Sequence, residues 1–310
     1  MKKNEYLPQT FYSYYIIESK DKEVLNVKYL FHFLEKYVEK LRSQSIGGVI
    51  KYIKLGNLTE VLIPIFPVDI QKKIVDVLGK SKLLIEKRQS QIAALDELTQ
   101  SVFLEMFGDP TRSFKWDIKL FKDICDSKLG KMLDKKKQEG LIRKVYLGNR
   151  HVQWGRFELE NLPEMGFKEE ELEKYSLQKG DILICEGGEV GRCAIWQWDN
   201  KEIYYQKALH RARIKNNLVT PEYLQNVMYL YSKRGGFKDF TTTATIAHLT
   251  AAKLNILPIP VPPKEIQVEF TSIYYKIQTE KELIKKGEGN LITLYNSLLQ
   301  KAFNGELFQQ

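Results

Sequence analysis

The sequence predicts an α+β fold in which β-rich domains alternate with long helices that pair as an antiparallel coiled coil. Three observations carry that expectation. The chain matches itself without gaps at an offset of 196 residues, so that Ile63, Pro64, Pro67, Ile70 and Gln71 fall on Ile259, Pro260, Pro263, Ile266 and Gln267. The same register then aligns Leu95, Leu98, Ser101 and Phe107 with Leu291, Leu294, Ser297 and Phe303. Each copy ends in an apolar stripe with steps of four and three, and the stretch before the second stripe is rich in aromatic, β-branched and turn residues.

The 310 residues suggest about two globular units at roughly 150 residues each. The hydrophobic fraction of 43% is too high for a disordered chain. No run of about 18 apolar residues is present to span a membrane, and the opening Met1-Lys2-Lys3-Asn4-Glu5-Tyr6 lacks the apolar core of a secretory signal. Cys125, Cys185 and Cys193 have no Cys-x-x-Cys spacing, which argues against a disulfide framework or zinc ribbon and for a reducing cytoplasm. The 48 Lys and Arg against 39 Asp and Glu, a net charge of +9, allow a polyanion partner, and the distribution of charge says more than its total.

In chain order, residues 1–66 match only the back part of 109–262. Asn26-Val27-Lys28-Tyr29-Leu30 lies over Thr220-Pro221-Glu222-Tyr223-Leu224, two residues out of the later register. Nothing corresponds to about 109–200, so the chain holds one and a half repeats. Residues 67–108 form the first helix, with Ile70, Ile74, Val77, Ser81, Leu84, Arg88, Gln91, Leu95, Leu98 and Val102 on its stripe. Pro67 precedes it, where a missing N–H costs nothing, and Gly108 ends it. Residues 109–262 are the complete copy. Aromatic, β-branched and turn residues dominate Val145–Asn149, Gly180–Ile184, Arg192–Trp196 and His210–Ile214, and a short helix is expected over Pro221–Lys233 with Thr220 as N-cap. Leu254–Pro260 reads as a strand that its prolines place at an edge. Residues 263–310 form the second helix, with Ile266, Phe270, Ile273, Ile277, Glu280, Ile284, Gly287, Leu291, Leu294 and Leu298 in the stripe; Gly287 and Gly289 each weaken it by about 1 kcal/mol relative to Ala. Stripes of about 35 residues, roughly 50 Å, exceed what a compact domain needs, so the two helices are expected to pack on each other.

The layout resembles the specificity subunit of type I restriction-modification systems. The resemblance rests on the junction Ile259-Pro260-Val261-Pro262-Pro263-Lys264-Glu265-Ile266-Gln267 and its weaker copy Ile63–Gln71. It rests also on the helix ends Met106-Phe107-Gly108-Asp109 and Leu299–Leu307, on Gly180-Asp181-Ile182-Leu183, and on Thr245-Ile246-Ala247-His248-Leu249. It covers about residues 9–310. It implies target recognition domains between conserved helices: the C-terminal part of a first such domain in 1–66, helices in 67–108 and 263–310, and a complete second domain in 109–262. It further implies double-stranded DNA as the ligand, with methyltransferase subunits and a restriction subunit as partners. S-adenosylmethionine, ATP and Mg are then expected on those partners, and no cofactor on this chain. A shortened first domain leaves two readings open, a one-half-site reader or a chain that pairs with a second copy of itself.

Candidate DNA contacts follow from charge clusters. Lys128, Lys131, Lys135, Lys136, Lys137, Arg143, Lys144, Arg150 and Arg156 face only Asp134 and Glu139 within 128–156. Asn149, Arg150 and Gln153 sit in a turn beside Trp154, and Lys207, Arg211, Arg213 and Lys215 form a second cluster without an acid. Lys233, Arg234 and Lys238 precede a threonine run that includes Thr242 and Thr243. Cations neutralise phosphates, hydroxyls fix register, and Arg, Asn or Gln can read base edges. Strand alternation puts Arg211 and Arg213 on one face, toward DNA or toward Glu202 or Glu158. His248 reads as a structural histidine, and Phe11, Tyr12, Tyr14 and Tyr15 as strand core. No Asn/Asp-Pro-Pro-Tyr/Phe motif, phosphate-binding loop, nuclease carboxylate set or metal-ligand spacing is visible, so no catalytic residue is expected.

Overall fold

The computed structural model describes residues 15–47, 52–112, 115–132, 140–199, 202–240 and 248–308. The chain divides into two compact units, one of Met1–Ala94 with Glu280–Gln310 and the other of Leu95–Thr279. This division cuts across the sequence segmentation, because each unit takes part of both long helices.

The unit of Met1–Ala94 and Glu280–Gln310 is helical in its described residues. It contains α1 (Val27–Ser43), α2 (Leu55–Thr59) and the first part of α3 (Val68–Phe107). Asn26 caps α1 by accepting the N–H groups of Lys28 and Tyr29. Tyr29 and Phe33 on α1 pack with Ile74 and Leu78 of α3 and with Leu299, Ala302 and Phe303 of the second long helix. Tyr15, expected in a strand core, is exposed and lies outside any strand.

The unit of Leu95–Thr279 holds the strands. After α3 come β1 (Ile118–Leu120), α4 (Phe121–Ile124), β2 (Cys125–Leu129), β3 (Ile142–Leu147), β4 (Val152–Gln153), β5 (Arg156–Phe157), β6 (Glu164–Phe167) and α5 (Glu169–Lys174). Then follow β7 (Ile182–Cys185), β8 (Cys193–Ile195), β9 (Tyr204–Tyr205), β10 (Leu209–Ile214), α6 (Pro221–Lys233), α7 (Ala251–Asn255), β11 (Pro258–Pro260) and α8 (Lys264–Phe303). The main sheet has the order β2-β10-β7-β8, all antiparallel, and a three-stranded sheet has the order β6-β3-β9. Alternation splits β7 between two cores. Ile182 and Ile184 face Phe103, Phe107, Tyr223 and Phe270, whereas Leu183 and Cys185 face Trp196, Tyr205 and Phe167.

α6 begins where its N-cap predicts, with the Thr220 hydroxyl accepting the Tyr223 N–H. The strand expected over Leu254–Pro260 shortens to Pro258–Pro260, because Thr250 caps α7 and carries Leu254 and Asn255 into a helix. All three cysteines are buried and unpaired; burial pushes the Cys125 thiol up to about 12 and the Cys185 thiol to about 11, so both act as core side chains.

α3 and α8 are uninterrupted, and each ends at a glycine in the left-handed region, Gly108 at φ 82° and Gly305 at φ 77°. They run antiparallel. In the helical unit the Gln89 amide donates to Glu288 (2.9 Å); in the other, Phe103 and Phe107 pack edge-on against Phe270. The buried line is not the full heptad stripe: Leu84, Leu98 and Leu294 are exposed, while Leu78, Thr99 and Phe103 are buried. A 3.5-residue stripe drifts by about 20° per heptad on a straight helix, so over five heptads the contact line crosses to neighbouring positions. No described helix is long and apolar enough to cross a membrane.

Candidate nucleic-acid interface

Five loops of the Leu95–Thr279 unit are tied together by hydrogen bonds. The turn after β2 is held by Gly130 N–H to Leu209 carbonyl (3.0 Å) and Lys131 N–H to Tyr205 carbonyl (3.1 Å). The β9–β10 turn returns a bond from Lys207 N–H to Lys131 carbonyl (2.9 Å). The Asn149 amide nitrogen donates to Gly187 carbonyl in the β7–β8 turn (3.0 Å). Glu186 N–H reaches Ala208 carbonyl, and Leu249 N–H reaches Glu186 carbonyl. The segments 130–132, 148–150, 186–191, 206–208 and 248–250 therefore form one cluster. Two glycines make the close approach feasible. A Cβ on Gly130 would sit 2.4 Å from the Gln206 carbonyl oxygen, and Gly188, at φ 76°, faces the Asn149 amide.

Two cations of this cluster, Lys207 and Arg150, are exposed and have no ion-pair partner among the described residues. The Gly148 N–H donates to His151 Nδ1 (2.8 Å) and the Arg150 Nε–H to His151 Nε2 (2.9 Å); a neutral imidazole has one acceptor nitrogen, so it satisfies one of the two at a time. Burial, with the Arg150 charge beside it, holds the His151 imidazole below its ordinary pKa and neutral at pH 7. Gln153 donates to the Arg150 carbonyl (3.0 Å) and braces the same turn.

Several expected contacts are spent internally. Lys131 is paired with Glu171; burial lifts that carboxyl, but the bonds from Lys131 and from the Lys168 N–H outweigh it and leave it below the usual range. Asn149 braces the loops, since its carbonyl also accepts Arg192 (2.9 Å) and its Oδ1 is buried without a partner among the described residues. Arg211 and Arg213 share a face as alternation requires, and both pair with carboxylates other than the expected Glu202 and Glu158. Arg211 is 3% exposed and bonds Asp126 (2.6 Å). Arg213 grips Asp181 through two bonds of 2.7 and 2.8 Å. Burying Arg211 and Asp181 requires a charged partner for each, and Asp126 on β2 and the half-buried Arg213 supply it.

The remaining candidates lie beside carboxylates: Arg143 with Glu164 (3.2 Å), Arg156 with Glu158 (3.5 Å), Lys233 with Glu189 (2.6 Å) and Arg234 with Asp109 (2.5 Å). Lys233 borders the cluster through Glu189; Arg143, Arg156 and Arg234 are not brought into it. Lys135, Lys136, Thr242 and Thr243 lie outside the described residues. His248, expected to be structural, is exposed at the cluster's edge. Sequence reasoning missed Gly130, Gly188 and the partners Asp126 and Asp181, because no local signal links residues so far apart in the chain.

Among the described residues no group of three or more His, Cys, Asp or Glu side chains could hold a metal ion. In a cavity whose lining includes Asp181, Arg213, Glu222 and Lys264, Arg213 is paired with Asp181, Lys264 donates to the Asn217 carbonyl and Tyr275 donates to Glu222.

The fold combines two long antiparallel helices with a β-rich unit, and that unit holds the loop cluster with its exposed cations. The family described as "Type I restriction modification DNA specificity domain" matches residues 2–94 and 114–293, and the chain belongs to that family. It is 23% identical over 306 residues to the type I restriction enzyme EcoKI specificity subunit of Escherichia coli K12, covering 91% of this chain and 66% of that protein. It is 25% identical over 308 residues to the MjaVIII specificity subunit of Methanocaldococcus jannaschii, covering 90% and 71%. The crystal structure of a type I restriction-modification S subunit from M. genitalium shares the fold, with a TM-score of 0.51 and 17% identity over 92% of this chain and 74% of the other. The chain thus spans roughly two thirds of the length of these relatives.

Proposed function

We propose that this chain is the DNA sequence-recognition subunit of a type I restriction-modification complex, without a catalytic centre of its own. Residues 109–262 are the complete target recognition domain and read one DNA half-site; residues 1–66 are the C-terminal part of another. The long helices, 67–108 and 263–310, dock methyltransferase subunits, and a restriction subunit joins the assembly in the cytoplasm. S-adenosylmethionine, ATP and Mg belong to those partners. The observation that carries this reading is the loop cluster in which Lys207 and Arg150 stand exposed without a carboxylate partner, where cations on a lobe of net positive sequence meet phosphate.

The test uses the full chain assembled with its methyltransferase. Duplex binding should weaken steeply with salt and prefer one short sequence. Lys207→Ala should lower the salt slope by about 0.9 and weaken all sequences alike, whereas Arg150→Ala should relax preference at one base position, by about 1–3 kcal/mol. A complex that assembles normally and binds every duplex equally would replace this reading with a scaffold that grips the methyltransferase and ignores sequence.

A further inference from the structure

The helical unit leaves exposed what its counterpart covers. In the Leu95–Thr279 unit, β11 pairs antiparallel with β1, with Ile118 opposite Pro260, Lys119 opposite Ile259 and Leu120 opposite Pro258. Bonds from Val261 N–H to Asp117 carbonyl (2.8 Å) and from Phe121 N–H to Leu257 carbonyl (2.9 Å) extend the ladder at both ends. At the repeat offset of 196, β11 becomes Leu62-Ile63-Pro64, with Val61 and Ile65 at its ends. This segment is held on its inner side in the same manner: the Tyr29 hydroxyl donates to Pro64 carbonyl (2.7 Å) as the Tyr223 hydroxyl donates to Pro260 carbonyl (2.9 Å). Its outer side has no partner strand among the described residues. Leu62 is 90% exposed and Ile65 53%.

Neighbouring positions agree. Phe31 on α1 is 51% exposed, whereas its equivalent on α6, Gln225, is buried and bonded to Tyr274. Tyr15, Ile16 and Ile17 align with Leu209, His210 and Arg211 of β10, which lies between β2 and β7, yet all three are exposed and outside any strand. An exposed edge with apolar flanks is a template for strand addition, in which main-chain bonds give affinity and alternate side chains give register.

We propose that Val61–Ile65 is a strand-acceptor site, and that its occupant is an extended segment of a separate polypeptide with the chemistry of Asp117–Phe121 here. That segment has apolar side chains at alternate positions and a short aromatic-led helix after it. It lies antiparallel, exchanges bonds with Ile63, and receives the Ile65 N–H on the carbonyl that Asp117 uses. Pro64 needs no outward N–H, just as Pro258 and Pro260 need none in β11. A second copy of this chain does not fit the role, because its own β1 is already paired with β11. The proposal is independent of DNA reading.

The test uses the full chain and a synthetic peptide of its residues 115–124, Lys115-Trp116-Asp117-Ile118-Lys119-Leu120-Phe121-Lys122-Asp123-Ile124. Hydrogen exchange is followed with and without saturating peptide, with a scrambled peptide as control. Exchange at Ile63 and Ile65 should slow about tenfold with the matching peptide alone, with no change at Ile259 and Val261. Leu62→Lys, on a side chain that the fold does not bury, should weaken peptide binding about tenfold. Unchanged exchange at Ile63 and Ile65 would overturn the proposal. So would protection at Ile259 and Val261 instead, which would mean that the peptide merely displaces β1.

Discussion

Gln71 and Gln267 perform the same task in different units. The Gln71 Oε1 accepts the Asn26 N–H (2.9 Å), and its amide nitrogen donates to the carbonyls of Val24 and Phe66 (both 2.8 Å). The Gln267 Oε1 accepts the Thr220 N–H (2.8 Å), and its amide nitrogen donates to Leu218 (3.2 Å) and Pro262 (2.8 Å). Each glutamine is fully buried and ties the N-cap of a packing helix to the entry of a long one. Replacing either by Leu strands one N–H and two carbonyls, at about 1–3 kcal/mol for each group that water cannot reach. Gln71→Leu should destabilise the unit that contains Tyr29, and Gln267→Leu the unit that contains Tyr223. Hydrogen exchange resolved by unit checks this, and equal loss in both units for either variant would contradict it.

The Arg213–Asp181 pair sets a second expectation. Asp181 is 1% exposed and also accepts the Gln178 N–H. Arg213→Ala therefore leaves a buried carboxylate without its counter-ion and should cost about 3–5 kcal/mol. Adding Asp181→Asn should recover part of that loss. Urea unfolding of the single and double variants measures it, and a single variant as stable as the parent would show the pair to be dispensable.

Gly130 tests the loop cluster. Any side chain there meets the Gln206 backbone, which cannot yield as a flexible side chain could. Gly130→Ala should push the β2 and β9–β10 turns apart, lower stability by about 1–3 kcal/mol, and reduce DNA binding without affecting methyltransferase assembly. Gly289→Ala, in open space on α8, is the control and should instead stabilise by about 1 kcal/mol.

Glu35 gives the helical unit a pH dependence. Burial raises its carboxyl, but bonds from Lys82 (2.5 Å), Tyr295 (2.6 Å) and His32 (3.0 Å) prevail and hold it below the ordinary value of 4.5. A carboxyl depressed on folding contributes stability above its unfolded value, and loses it as pH falls through the folded one. Thermal stability of this unit should therefore drop by about 1–2 kcal/mol between roughly pH 5 and pH 3. Glu35→Gln should flatten that acid limb; an identical limb in the variant would assign the loss to other groups.

Much of the architecture was legible in the sequence. The offset between Ile63–Gln71 and Ile259–Gln267, the capping Thr220 and the terminal glycines Gly108 and Gly305 each act over a few residues or repeat at a set spacing, so pattern alone exposes them. The candidate interface was legible only in part. Charge density singled out Arg150 and Lys207, which stand exposed, but it singled out Arg211 and Arg213 equally.

The duplicated helix-led plan follows from the chain alone, because helix periodicity, caps and proline-led entries are local properties. The folded arrangement settles which cations are held by carboxylates. Arg211 meets Asp126 across a strand pairing of residues 85 apart, and Arg213 meets Asp181 across 32. A strand's alternation fixes that two side chains share a face, but whether that face is wet depends on what packs over it, and that is settled by distant residues.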